Sequence, residues 1–147
     1  MEKTRIMPDG HWTWPIVTPF SQGWRLSGDY DLIFVGGQIS VDENFEVIGP
    51  DDIEIQTRVV FENIRSVLRE AGADMRDIVK LNTFYHHDGE GEALVEFWKK
   101  MTRVRLEFLE DPGPAGTAIR TFLGREGLVL EAEAIAAVPR AASGTQS

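Results

Sequence analysis

The stretch 128–138, "LVLEAEAIAAV", carries the residues of this chain best suited to acid–base chemistry. In an extended strand alternate side chains share a face. Val129, Glu131, Glu133, Ile135 and Ala137 therefore point one way, and Leu128, Leu130, Ala132, Ala134, Ala136 and Val138 the other. The second set is wholly apolar and belongs under helices. The first set embeds two carboxylates among apolar neighbours. Open to water, these acids would be ordinary solvated charges. Covered by a second subunit, each would need a partner or a task, because a carboxylate is held out of water only by hydrogen bonds or a counter-charge.

A second extended stretch, "GPAGTAIRTFLG" at 113–124, turns Thr117, Ile119 and Thr121 to one face and Gly116, Ala118, Arg120 and Phe122 to the other. Gly116 leaves a gap near the strand's start, the mark of a bulge, a bend or the close approach of another group. Trp12, Trp14, Phe20 and Trp24 crowd the N-terminal part. They read as a small aromatic core or oligomer contact, with the wall of an apolar pocket as the functional alternative. The histidines are His11, His86 and His87; strand neighbours face opposite ways, so His86 and His87 make a poor metal pair. There are no cysteines, which excludes disulfides, thiolate nucleophiles and thiolate metal sites. Ser21, Ser27 and Ser40 lack a nucleophile-elbow signature. "GGQ" and "GPAG" are too short for a phosphate loop. No metal or cofactor is expected.

The elements that must position these residues follow from periodicity. Ile55, Val59, Val60, Ile64, Val67 and Leu68 recur at three- and four-residue spacing and predict a helix over 51–71, capped by Asp51 or Asp52 and stopped at Gly72. "DIVKLNTFYHH" alternates as a strand. Leu94, Phe97, Met101, Val104 and Phe108 predict a second helix over 90–109, ended by "EDPGP". "DLIFVGGQIS" is a strand interrupted by Gly36 and Gly37, and residues 41–52 a loop or hairpin. The order is strands, helix, strand, helix, two strands, which makes an α+β domain: a mixed β-sheet with two helices packed on one face. The 147 residues form one domain over 1–138, with residues 1–12 loose and a disordered tail at 139–147. A net charge of −9 argues against nucleic acid, whose phosphates need clustered Lys and Arg. No run of about 18 apolar residues is present, so no membrane span is expected. The N-terminus lacks a signal peptide's apolar core, and a cytoplasmic location fits.

Taken together, "TPFSQG", "FVGGQIS", "QTRVVFENIRSVLREAGADMRDIVKLNTF", the Pro-Ala pair of "GPAGT" and "LEAEAIA" resemble the RidA (YjgF) family of enamine and imine deaminases. The matching stretches run from about Pro19 to Ala136. The resemblance implies a chorismate-mutase-like fold and a homotrimer in which outer sheet faces close a central barrel, with clefts between subunits. It implies cofactor-free hydrolysis of imino or enamine acids. A strand arginine after the Pro-Ala pair would grip the substrate carboxylate, and Glu133 matches the glutamate that positions water. The turn Gly36-Gly37-Gln38 would contribute backbone groups, and Phe20 stands where the family has a tyrosine.

This sequence departs from that pattern. Gly116 occupies the arginine's place, Gly36 a serine-like position, and Phe20 lacks the hydroxyl. The expectation is a divergent member with a larger, less basic cleft, lined also by Thr117 and Ala118. Its small-molecule substrate would be bulkier or differently anchored than 2-iminopropionate, with aminomuconate-like compounds suiting the wider cleft. Met101 stands roughly where the family has a cleft-facing asparagine. Arg105, four residues on and hence on the same helical face, could reach into the space Gly116 vacates, or else pair at the surface with Glu107 or Asp111. The rival readings are a non-catalytic small-molecule-binding or interaction protein and, against the charge, an endoribonuclease.

Overall fold

The computed structural model describes residues 1–141. Nine short elements run in the order β1 (Glu2–Ile6), β2 (Gly23–Ser27), β3 (Tyr30–Ile39), α1 (Ile53–Glu70), a 3-10 turn (Met75–Asp77), β4 (Ile78–Tyr85), α2 (Glu92–Arg105), β5 (Ala115–Arg120) and β6 (Leu130–Pro139). A four-stranded sheet has the order β3-β6-β4-β5. β6 is antiparallel to both β3 and β4, whereas β5 runs parallel to β4. The sheet is therefore mixed, and α1 and α2 cover one face of it, as the periodicity predicts.

Parity along the strands decides which side chains meet the helices. Leu81, Thr83 and Tyr85 of β4 and Leu130, Ala132, Ala134 and Ala136 of β6 are buried with Val60, Phe61, Ile64 and Leu68 of α1 and Phe97 and Met101 of α2. The small alanines of β6 let α1 lie close to the sheet. Asp52 caps α1, its Oδ1 accepting from the backbone N–H groups of Glu54 and Ile55 at 3.0 Å each. α2 ends at Arg105 rather than Leu109, because the next turn tightens to Phe108 N–H donating to the Arg105 carbonyl. The opposite sheet face carries Leu32 and Phe34 of β3 and Ile119 of β5. Phe34 is 70% exposed.

Two expectations about the ends need correction. Residues 1–12 are not uniformly loose: β1 pairs antiparallel with β2, from Glu2 opposite Ser27 to Ile6 opposite Gly23. The polar sequence "EKTRI" hides this strand because its support is distant, with Lys3 lying 5.5 Å over the Trp24 ring and Arg5 paired with Asp111. At the other end, β6 includes Pro139, and the Arg140 guanidinium donates to Asp31 at 2.8 Å, so the chain is tied down beyond 138. The rest of the tail, 142–147, lies outside the described residues.

Candidate functional site

A cavity of about 310 Å³ opens between β5 and α2, roofed by the segment 12–20. Its floor is Leu81 and Thr83 of β4 with Gly116 and Ala118 of β5, and its walls are Arg105 and Trp98 of α2 and the rings of Trp12, Trp14 and Phe20. The roof has no regular structure, yet specific bonds place it. Ser21 N–H donates to the Pro114 carbonyl at 3.1 Å and Ser21 Oγ to the Gly113 carbonyl at 2.6 Å. Arg5 donates to the Phe20 carbonyl at 2.7 Å and to Ser21 Oγ at 3.0 Å. A Cβ on Gly113 would stand 2.3 Å from the Pro19 carbonyl carbon, so the close backbone approach that demands glycine is at Gly113. At Gly116 an added Cβ would meet only the Leu81 carbonyl, at 3.3 Å; Gly116 leaves room without a strained backbone.

Trp12 and Trp14 are not core, and Trp24 stands outside the cavity with its Nε1 donating to the Gly113 carbonyl at 3.1 Å. Trp12 is 56% and Trp14 39% exposed. Trp12 stacks on Phe20 at 5.6 Å, and Trp14 meets Trp98 edge-on at 5.8 Å. Trp12 and Trp14 line the cavity together with Phe20.

Arg105 shares this cavity with Gly116. Neither surface partner considered from the sequence holds it: Glu107 pairs with Arg58, and Asp111 with Arg5. Among the described residues no ion pair or side-chain hydrogen bond engages Arg105, and its Nε is shielded and without a partner. Its guanidinium carbon lies 5.9 Å from the Phe61 ring. Burial among protein atoms lowers its pKa to about 10, so it remains a cation at neutral pH. Arg105 is the sole charged residue among those lining the cavity.

Glu133 is elsewhere. It lies on the opposite face of the sheet, in a separate hollow with Phe34, Gly36, Lys80 and Asn82. Asn82 stands directly across from it in the β4–β6 register, and Asn82 Nδ2 donates to Glu133 Oε1 at 2.8 Å. The β3–β6 register slips between Val35 and Gln38, a bulge that contains Gly36 and Gly37. A Cβ on Gly37 would fall 2.1 Å from Glu131 Oε1, so the glycine makes way for that carboxylate. Gln38 Nε2 donates to the Gly36 carbonyl at 3.2 Å.

One protomer thus divides the expected residues between two places. Phe20, Arg105, Gly116 and Ala118 meet on the helix side. Gly36 and Glu133 meet on the outer side, with Gly37 and Gln38 in the adjoining bulge. Thr117 borders the first cavity, but its hydroxyl accepts from Lys80 Nζ at 3.0 Å. Met101 is corrected: it is 0% exposed and belongs to the core, because the α2 stripe of Phe97, Met101 and Val104 packs inward. Sequence reasoning missed Thr18, Thr83, Trp98 and Asn82. For Asn82 the only signal is cross-strand register, which the sequence does not carry. His86 and His87 part company, His86 against Phe122 and His87 stacked on Phe97.

The fold and this pair of hollows define a mixed-sheet α+β protein of the Rid type. The sequence model of the endoribonuclease L-PSP family matches residues 15–138, and the chain belongs to that family, which includes the RidA and YjgF proteins. A RutC family protein of Pyrococcus abyssi is 35% identical over 120 residues, 82% of this chain and 87% of the relative. The 3-aminoacrylate deaminase RutC of Acinetobacter baylyi is 25% identical over 138 residues, 94% of this chain and 100% of the relative. Among solved structures, the Rid family protein YyfB of Yersinia pestis superposes with a TM-score of 0.76 at 26% identity, covering 94% of this chain and 100% of that one. Among the described residues no helix is long and apolar enough to cross a membrane.

Proposed function

We propose that this protein hydrolyses the C=N bond of an imine or enamine acid without a cofactor, in a cleft formed where copies of the chain meet in a homotrimer. The observation that carries the reading is Glu133: a carboxylate on a largely apolar sheet face, oriented by the Asn82 amide beside a backbone bulge. The deaminase name of the Acinetobacter relative supports the reaction class. Glu133 accepts a proton from water as the water oxygen bonds to the imine carbon. The same proton returns to nitrogen to give the carbinolamine, Glu133 then carries the carbinol hydroxyl proton to that nitrogen as the C–N bond breaks, and a keto acid and ammonia leave. Backbone groups at Gly36 and Gly37 face the reacting atoms. Arg105 supplies the cation for the substrate carboxylate from α2, in place of a strand arginine at 116.

The separation of the two hollows supports that assembly. The sheet separates Glu133 from Arg105, so one small substrate reaches both only across a subunit boundary. The exposed Leu32, Phe34 and Ile119 give that boundary apolar surface to bury. Ammonia release from imino acids generated in situ by an amino-acid oxidase tests the reading. The expected result is release faster than the uncatalysed hydrolysis of the imine, with the acceleration lost in Glu133→Gln; no acceleration across aliphatic and aromatic imino acids would refute it. The second reading, a non-catalytic binder, is favoured by the completeness of the Arg105 cavity within one protomer, and it requires ligand binding without turnover. RNA cleavage is not proposed, since the net charge is −9 and a single cation lines the cavity.

A further inference from the structure

Five shielded side-chain polar atoms lack a hydrogen-bond partner among the described residues: Thr18 Oγ1, Asn82 Oδ1, Thr83 Oγ1, His87 Nε2 and Arg105 Nε. Three of them, on Thr18, Thr83 and Arg105, belong to residues that line one cavity. Native proteins leave few such atoms unpaired, and their gathering at one hollow marks a place where a ligand completes the hydrogen bonding. One guanidinium and two hydroxyls on residues that line the same cavity suit a carboxylate, whose two oxygens accept up to about four hydrogen bonds. A second negative charge would find no counter-charge and would be buried against tryptophan.

We propose that this cavity binds a planar aromatic monocarboxylate, its carboxylate on Arg105 and its ring against the tryptophans. The proposal rests on the preceding reading only in making this cavity the substrate's anchoring site. Trp12, Trp14, Trp98 and Phe20 present four aromatic rings to a hollow of about 310 Å³. That volume lies at the small end of ligand pockets and holds one ring with a short acid arm. The half-exposed Trp12 and Trp14 are a large apolar surface for a soluble face, the usual sign of an unfilled contact. Gly116 opens the floor beneath them, since nothing but the Leu81 carbonyl comes within 4 Å of a Cβ built there. A flat ring gains offset or edge contacts with such walls that an aliphatic chain does not.

Calorimetric titration of the full chain with phenylpyruvate, pyruvate and phenylacetone separates ring from acid. Phenylpyruvate is expected to bind at least tenfold more tightly than pyruvate, which lacks the ring, and than phenylacetone, which lacks the carboxylate. Arg105→Met should weaken phenylpyruvate to the level of phenylacetone and leave phenylacetone unchanged. Thr83→Val, which keeps the shape and loses the hydroxyl, should weaken phenylpyruvate several-fold. Pyruvate binding as tightly as phenylpyruvate overturns the proposal, as does Arg105→Met with undiminished phenylpyruvate affinity. The comparison on unaltered protein decides even where a variant fails to fold. Binding is read without turnover, so loss of the catalytic reading leaves this result standing, and hydrolysis with no preference for the ring overturns this proposal alone.

Discussion

Replacing Arg105 by methionine should make the protein more stable while depriving the cavity of its anion-binding group. Burial alone lowers the guanidinium's pKa to about 10. At about 1.4 kcal/mol per pKa unit, holding that charge in the folded state costs about 3 kcal/mol at neutral pH. The contact with Phe61 at 5.9 Å returns only about 0.5–1 kcal/mol. Methionine fits the same elongated space, is a good helix former and carries no charge. The net gain is about 2 kcal/mol, which for a domain of this size raises Tm by roughly 4–8 °C.

The measurement is a thermal melt of both proteins at one protomer concentration, because subunit association makes Tm concentration-dependent. The pH dependence gives a second check. A lowered folded-state pKa means that the unfolded chain binds more protons in the window that opens at about pH 10, so this group's contribution to stability improves as pH rises through that window. Below it the full penalty persists, and the advantage of Arg105→Met should be flat from pH 6 to 9. A saturating aromatic carboxylate should raise the Tm of the unaltered protein and not that of the variant. A fall of several degrees in Arg105→Met would refute the reasoning, since it would mean that the guanidinium supports the fold rather than waiting for a ligand.

Glu133→Gln should lower C=N hydrolysis at least a hundredfold with the oligomer intact, because the amide keeps the shape but loses the proton acceptor; activity within about tenfold, or ~1.4 kcal/mol of barrier, would remove Glu133 from its role. Gly116→Arg should fold, since the position has no positive φ and only the 3.3 Å approach to Leu81 to relieve, and should raise activity on small imino acids roughly tenfold in an Arg105→Met background, as read by ammonia release. Mass measured in solution should be close to three times 16.5 kDa, and a monomer at micromolar concentration would leave the outer hollow without the second half of its site. Gly49→Ala should destabilise by ~1–3 kcal/mol in denaturant unfolding, since φ is +63° and the new Cβ would lie 2.5 Å from Ile55 Cγ2.

How far the sequence disclosed this arrangement depends on the range of the interaction concerned. Periodicity places both helices and four strands because burial of one face repeats every 3.6 or every two residues, and the apolar run from Leu128 to Val138 names its own inward side. β1 carries no such signal: Thr4 and Arg5 owe their strand to β2, about twenty residues on. Arg105 was legible as a candidate from its spacing to Met101, yet Met101 itself was placed in the cleft by the family resemblance, and the two part because α2 turns Met101 into the core. The glycine gap in "GPAG" was legible too, but the backbone contact that requires a glycine falls at Gly113, against Pro19 in a loop over ninety residues away. The unpaired hydroxyls of Thr18 and Thr83 had no sequence signal, since an unmet hydrogen bond is a property of the folded surroundings.

The two walls of the cavity explain why moving a cation would change the ligand. An arginine at 116 would rise from the strand floor and occupy the space above Leu81. Delivered from Arg105 on α2, the charge stands at the side, and the floor between Gly116 and Ala118 stays open to a ring. The same displacement puts the guanidinium beside Phe61, and among the described residues it forms no ion pair. A cation kept unpaired in this way lowers stability and strengthens attraction for an incoming anion for one reason, the weak screening of its surroundings. Stability gained and affinity lost in Arg105→Met are therefore expected to appear together, because both measure the same missing counter-charge.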